Sequence, residues 1–363
     1  MVSFVHTGDI HLGLQFNKVS FNRELSLERR SELWTTFEKI VKYTKDNNKD
    51  FLFIAGDLFE EKYFTLGDMK RVRDILQQAE NVNILISAGN HDFVGHRSLY
   101  NRVDWSPNVH IFKNKGIEKK EFPNLNTVVY GYSWDKVEIR ENVLFNRFDF
   151  QEDHLKKVLL IHGDIGTNSN YLPLDLNTLK GLNMDYIALG HIHKPEIINN
   201  NIAYCGCPEP LDFGETGDRG FIEGNISKKG TSIDFIPFSK RKFLELDLSI
   251  NENMGYLDIV NLFKSIEYGN KELDFYRIKL KGYIQNDLDI EGLVKSVNDD
   301  FYYLEIIDNT IPDYDLDALE RTFEDSIIGQ FIKEMKSKDL KDPIVKDALY
   351  YGLEALLKGR LDS

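Results

Sequence analysis

VSFVHTGDIH, residues 2–11, runs from a short apolar stretch straight into a turn that carries glycine, aspartate and histidine. Four further segments repeat the design. FLFIAGDLF (51–59), ILISAGNHD (84–92), VLLIHGD (158–164) and YIALGHIH (186–193) each open with Val, Ile, Leu, Phe or Tyr and close in a polar, glycine-containing turn. Such nearly unbroken apolar runs fit strands buried on both faces of a sheet. Between the first two, residues 27–47 place Leu33, Phe37, Ile40, Val41 and Thr44 at helical spacing, and a second helix is predicted over 66–79. Residues 1–240 therefore read as α/β, with the polar turns gathered at strand ends, where open α/β sheets hold their ligands.

Past residue 240 the pattern changes. Residues 243–250, 276–284 and 302–307 alternate as half-exposed strands, and 256–266 and 288–297 between them read as helices. The expectation for 241–310 is a small βαβαβ α/β cap domain. Ile311-Pro312 then punctuates the chain, residues 315–336 set Leu316, Leu319, Phe323, Ile327, Phe331 and Met335 along one face of a single helix, and a last helix starts at Asp342-Pro343. Residues 311–363 thus form a C-terminal helical segment. Its apolar stripes, the second made of Leu349, Leu353, Leu356 and Leu357, look too extensive for two helices to cover alone, which points to docking on a partner protein.

The chain has 363 residues, 42% of them hydrophobic, enough for a sizeable core and more than one domain. No apolar run reaches the ~18 residues that span a bilayer, and no basic start followed by an apolar run marks a secretory leader. The expectation is a cytoplasmic protein with no membrane partner. Two cysteines, Cys205 and Cys207, are too few for a disulfide framework or a four-cysteine zinc site, and they read as inert thiols. The net charge of -14 argues against simple phosphate neutralisation by a basic surface. The excess is spread unevenly, however, at -4 over 1–240, -4 over 241–300 and -6 over 301–363.

The five turns carry Asp9 and His11, then Asp57, then Asn90, His91 and Asp92, then His162, then His191 and His193. Carboxylate, imidazole and amide oxygen together are the ligand set that holds divalent ions against phosphate. Turn-forming and capping chemistry explains Asp and Asn one turn at a time, but it has no need of histidine. His6 reads as a buried residue behind the site, and His96, His110 and His154 lack any surrounding motif.

The order DxH, GD, GNHD, H, GHxH resembles the calcineurin-like metallophosphoesterase superfamily over residues 1–240. The resemblance implies a two-sheet α/β/β/α sandwich and two metal ions. It assigns Asp9, His11, Asp57 and His193 to one ion and Asp57, Asn90, His162 and His191 to the other, with Asp57 shared. One bridging carboxylate holds two ions ~3.5–4 Å apart, close enough to clamp a phosphoryl group and make hydroxide from water near neutral pH. His91 remains free of the ions, and in the family it protonates the leaving oxygen, with Asp92 placed to orient its ring. On ligand softness Mn²⁺, Fe²⁺ and Zn²⁺ fit alike, and Mn²⁺ is what the family implies.

Finer features narrow the branch. Phosphoprotein phosphatases follow GD with a further aspartate and arginine, GDxxDRG, and end the next motif GNHE; here Asp57 leads into Leu58-Phe59-Glu60-Glu61-Lys62 and the third motif ends at Asp92. HTGDIHLG (6–13) is similar to the opening of SbcD and its YhaO-like relatives, and YCGCPEPLDFGETGDRG (204–220) to their YPGSP…F.E…KG segment, with Cys205 and Cys207 as departures. Residues 324–330, EDSIIGQ, look closer to the YhaO-like branch. The resemblance implies a DNA nuclease subunit, an exonuclease and endonuclease of DNA repair. It implies as well a DNA-facing cap, a homodimer, and an SbcC-like ABC-type ATPase with a coiled coil as partner. Two other classes stay open: a small-molecule phosphodiesterase or nucleotidase whose second domain closes over a nucleotide, and a non-enzymatic scaffold, which would be expected to have lost ligands that are all in place here.

Overall fold

The computed structural model describes residues 1–16, 21–140, 150, 155–166, 169–285 and 288–361, the last four of these by backbone alone. His154 lies outside the described residues. The chain divides into two compact units, Met1–Phe243 and Leu244–Ser363.

The first unit runs β1 (Val2–Thr7), α1 (Arg23–Asp46), β2 (Phe51–Ala55), α2 (Leu66–Gln77), β3 (Asn83–Ser87), β4 (Val109–Ile111), β5 (Glu118–Phe122), β6 (Thr127–Tyr132) and β7 (Lys156–His162). It continues through a two-residue pair, β8 (Asp164–Ile165) and β9 (Pro173–Leu174), to α3 (Leu176–Gly181), β10 (Tyr186–Gly190), β11 (Glu196–Asn199), β12 (Ile202–Tyr204), β13 (Gly220–Ser227) and β14 (Gly230–Pro237). Among the described residues these strands make two six-stranded sheets, β14-β13-β1-β2-β3-β4 and β11-β12-β10-β7-β6-β5. The inner strands are parallel in both, so the turns after β1, β2 and β3 open at one end of the first sheet and those after β7 and β10 at one end of the second.

Alternation along each strand explains why the runs are apolar throughout. Phe4, Phe53 and Leu85 from one sheet share a cluster with Val158, Leu160, Tyr186 and Ala188 from the other, which places this core between the sheets. Their neighbours Val5, Leu52, Ile54, Ile84 and Ile86 face the other way, against Leu33, Phe37, Ile40 and Val41 of α1 and Met69, Val72 and Leu76 of α2. Leu159, Ile161, Ile187 and Leu189 pack with Leu179 of α3 on the far side of the second sheet. The result is the α/β/β/α sandwich. Both helices also start as their sequences dictate: Asn22 caps α1 by accepting from Leu25 N, and Thr65 and Asp68 form a capping box on α2. Strands β4 to β6 and β11 to β14, seven in all, have no counterpart in the five runs read from sequence. Several are short or alternating and carry no ligand turn.

In the second unit β15 (Phe243–Ile250), α4 (Tyr256–Lys264), β16 (Phe275–Gln285), α5 (Ile290–Val297) and β17 (Tyr303–Asp313) give a three-stranded sheet in sequence order. Ile259, Val260 and Phe263 of α4 and Leu293 and Val297 of α5 cover Tyr276, Ile278 and Leu280 on one sheet face. On other positions of the sheet, Arg277 pairs with Glu305 (3.1 Å), Lys281 with Asp247 (2.6 Å) and Lys279 with Glu245. These three cations are paired within the sheet.

Two expectations about the C-terminal segment change. Pro312 does not end the strand; it pairs with Ile284 inside β17, and as an edge strand β17 needs no donor on its outer side. Nor is 315–336 one helix. It is α6 (Leu316–Thr322) and α7 (Ile327–Lys336), with Ser326 capping the second by accepting from Ile328 N. Gly329 permits the sharp turn, since a Cβ there would sit 2.3 Å from Phe323 O. With α8 (Pro343–Leu361) these helices bury Ile328, Ile332, Met335, Leu349 and Leu353 together with Ile311 of β17 and alongside Tyr283 of β16. The stripes expected to need a partner are thus largely covered within the unit. Ile327, Ile344 and Tyr351 remain exposed, at 69%, 78% and 63%. No helix among the described residues is long and apolar enough to cross a membrane.

Candidate metal centre

At three of the five turns, those after β1, β2 and β10, the backbone is held in a conformation that side chains other than glycine rarely adopt. Asp9, His11, Asp57 and His191 have φ of 48°, 51°, 50° and 99°, respectively. Positive φ costs about 1–3 kcal/mol at such residues and persists where surrounding contacts fix it. Those contacts are visible: Asp9 N donates to Gly56 O (3.0 Å), Ile10 N and His11 N to Asp57 O (2.9 and 3.0 Å), and His191 N to both carboxylate oxygens of Asp9 (3.1 and 3.0 Å). The turn after β1 is thereby strapped to the turns after β2 and β10. Glycine is required at two of the crossings. A Cβ on Gly89 would lie 2.3 Å from Asp57 Oδ1, and one on Gly56, itself at φ +86°, would lie 2.4 Å from His162 Nδ1.

These turns bring the predicted ligands together across the two sheets. His11 Nε2 and His193 Nε2 face each other at 3.1 Å, with Asp57 Oδ2 3.9 Å from the first and Asp9 Oδ1 4.0 Å from the second. Deeper in, His162 Nε2 meets Asn90 Oδ1 at 3.0 Å and Asp57 Oδ2 at 3.4 Å. Asp9, Asp57 and His162 are almost wholly buried. The His191 ring lies edge-on to His162, centroids 5.2 Å apart, and against Tyr171 at 4.9 Å.

Donor counting shows that this set suits cations. His11 Nδ1 meets Glu60 Oε1 at 2.8 Å, His193 Nδ1 meets Glu215 Oε1 at 2.5 Å, and His162 Nδ1 meets Ala55 O at 2.9 Å. Carboxylates and carbonyls only accept, so each Nδ1 carries the proton and each neutral ring presents a lone pair on Nε2. Lone pairs facing one another across 3.1 Å, and facing Asn90 and Asp57 oxygens, repel unless a positive charge sits among them. In the protein alone that charge falls on the rings. Burial opposes charge on His162, but Asp57 and Asp9 outweigh it and raise its pKa to about 9; burial likewise opposes charge on His193, and Glu215 and Asp9 raise it to about 9. Asp57, buried yet ringed by His162, His11 and His91, is held far below the usual carboxylate range. Divalent ions would take over the same role.

His91 is more exposed than the buried predicted ligands, with 41% of its side chain exposed, although its ring lies edge-on to His11 with centroids 4.9 Å apart. Here the geometry corrects the expectation for Asp92. The Asp92 carboxylate accepts from Gly89 N (2.6 Å), Leu58 N (2.9 Å), Asp57 N (3.2 Å) and Tyr100 Oη (2.6 Å). With those four donors it binds the GNHD turn to the turn after β2, and among the described residues it makes no hydrogen bond to the His91 ring. Burial and the nearby Asp57 raise its pKa to about 6. The ring is held instead by Glu60, whose Oε2 accepts from His91 Nδ1 at 2.9 Å while its Oε1 accepts from His11. Glu60 was missed in the sequence, although it lies three residues after Asp57, at the spacing where GDxxDRG carries its further aspartate. Glu215 was legible only as the F.E of the 204–220 segment. His6 is buried, its Nδ1 2.8 Å from Tyr186 Oη, behind the turn. Cys205 and Cys207 are free and buried, and burial pushes both thiols well above their ordinary pKa, so neither is a nucleophile at neutral pH.

A model of the calcineurin-like phosphoesterase family matches residues 2–195, more than half of the chain and the whole interval from Asp9 to His193. The chain is 24% identical to the SbcD component of the SbcCD nuclease of Staphylococcus epidermidis, over 93% of this chain and 95% of that protein. It is 26% identical to the uncharacterized metallophosphoesterase YhaO of Bacillus subtilis over 64% of this chain, and 26% identical to the DNA double-strand break repair protein Mre11 of Haloferax volcanii over 70%. The aligned parts span 60% of YhaO and 56% of that Mre11. Since the matched interval is the one whose strand ends converge on the acceptor cluster, sequence and geometry meet in one statement: the chain belongs to the calcineurin-like phosphoesterase family.

Proposed function

We propose that this chain is a metal-dependent nuclease that hydrolyses phosphodiester bonds in DNA, as the nuclease component beside an SbcC-like ATPase in DNA repair. The observation that carries the reading is the meeting of imidazole lone pairs, carboxylates and the Asn90 amide oxygen at strand ends, with the partly exposed His91 beside them. In this reading Asp9, His11, Asp57 and His193 hold one ion, and Asp57, Asn90, His162 and His191 the other, with Mn²⁺ the expected metal. Two such ions supply charge against the phosphoryl oxygens and lower the pKa of water near neutral pH. The protein's own part is positioning. Glu60 accepts a hydrogen bond from His91 Nδ1–H; burial opposes charge on that ring, but Glu60 and Asp57 raise its pKa and favour the imidazolium, whose Nε2–H is the proton given to the departing oxygen, and Asp92 locks the turn that carries it. Similarity to the SbcD component of a nuclease over nearly the whole chain supports nuclease activity, and similarity to the DNA double-strand break repair protein Mre11 supports DNA as the polymer.

The test is cleavage of linear DNA by purified protein with Mn²⁺, compared with Asp57→Ala. The wild type should degrade the polymer and the variant should not, while both fold. Activity confined to mononucleotides would favour the small-molecule alternative, and wild-type cleavage by Asp57→Ala would remove the shared ligand from the scheme.

A further inference from the structure

The segment 204–220 is left without a task by the metal set, yet it is built around one ligand. Cys207 N donates to His193 O at 3.0 Å, and a Cβ on Gly206 (φ +71°) would lie 2.7 Å from that same oxygen. Beyond the backbone contact, Glu215 reaches back to the ring. Its Oε1 accepts from His193 Nδ1 at 2.5 Å, and its Oε2 accepts from Leu211 N at 2.7 Å and from the Cys207 thiol at 3.3 Å. Cys207 is fully buried, so its S–H has no water to turn to. The carboxylate is therefore fixed through Oε2, which leaves Oε1 directed at the imidazole.

We propose that Glu215 is a positioning residue for metal binding: braced by Leu211 N and the Cys207 thiol, it fixes the His193 tautomer and ring plane and so sets the affinity of the ion that His193 holds. The proposal rests on the two-ion reading above. A carboxylate that accepts from the remote nitrogen of a ligating histidine keeps the other nitrogen's lone pair outward and raises its basicity, and losing such a partner typically costs 10–100-fold in metal affinity. The effect is local. Glu215 holds one histidine, whereas Asn90, His162 and His191 have no bond to it among the described residues.

The test is Mn²⁺ titration of the full chain, followed by the electron paramagnetic resonance signal of free Mn²⁺, with metal content checked by elemental analysis. For wild type two ions are expected. Glu215→Ala should bind one ion at wild-type affinity and the other 10–100-fold more weakly. Cys207→Ala should weaken the same ion by a smaller factor, and Cys207→Ser, which restores a hydrogen donor to Glu215, should recover it. If Glu215→Ala does not fold, Glu215→Gln serves in its place, since it is isosteric but faces Leu211 N and the thiol with a different hydrogen-bonding set. Unchanged affinity for both ions in a folded variant overturns the proposal, as does equal weakening of both. A wild type that binds no ion would instead overturn the two-ion reading itself.

Discussion

Glu60→Gln is the most informative single substitution at the centre, because one carboxylate serves two histidines with one oxygen each. Its Oε1 accepts from His11 and its Oε2 from His91, at 2.8 and 2.9 Å. Glutamine retains one acceptor but presents an NH₂ group at the other position, so one of the two Nδ1 protons meets a donor. A hydrogen bond to a charged group contributes about 1.5–3 kcal/mol. Loss of that much from the His91 side corresponds to a fall of roughly 10–150-fold in turnover, at 1.4 kcal/mol per tenfold. Loss from the His11 side should appear as weaker binding of one ion and be recovered at high Mn²⁺. Hydrolysis of bis(p-nitrophenyl) phosphate across a Mn²⁺ series separates the two contributions. Wild-type turnover at every Mn²⁺ concentration would refute the argument that Glu60 holds the His91 ring.

His91→Asn should still bind two ions but lose on the order of 10²–10⁴ in turnover, the range for a positioned general acid; loss of an ion in elemental analysis would move His91 into the coordination set. His6 gives a pH-dependent signature in stability. Burial, offset in part by the Leu189 carbonyl, lowers its pKa from 6.5 to about 3, so below pH 6.5 the unfolded chain takes up a proton that the folded chain refuses. The stability it contributes is intact above that pH and falls by about 1.4 kcal/mol per unit as pH drops toward 3. Urea unfolding in EDTA should therefore show a shallower acid slope for His6→Phe than for wild type, and parallel slopes would count against it. In the second unit, Leu353→Ala should cost about 2–5 kcal/mol because the side chain is fully buried. Ile344→Asp, at a position 78% exposed, should leave stability within about 0.5 kcal/mol yet abolish co-purification with an SbcC-like ATPase if α8 is the docking element. Retained co-purification would place the contact elsewhere.

Legibility differed sharply between parts of the chain. Strands β1, β2, β3, β7 and β10 could be read because burial on both faces forces unbroken apolar runs, and the turns after them carry the proposed ligands. Strands β13 and β14 could not, since β14 alternates exposed and partly buried residues at a sheet edge and neither strand carries a ligand turn. The break between α6 and α7 was equally hidden. The apolar positions keep one helical phase through 315–336, and only the Ser326 cap and the close approach at Gly329 divide it.

By itself the sequence determined the α/β pattern, the five polar strand-end turns and which candidate ligand types stand in them, because strand burial and runs of Asp, Asn and His both leave local signatures. Tertiary structure alone decided the supporting contacts. Glu60 is 49 residues from His11 and 31 from His91, and Glu215 is 22 residues from His193. No local spacing rule links such pairs, and a glutamate in a turn looks the same whether it is solvated or gripping an imidazole. The same reason moved Asp92 away from its neighbour His91: adjacent in sequence, it is turned by its buried position toward the four donors that tie two turns together.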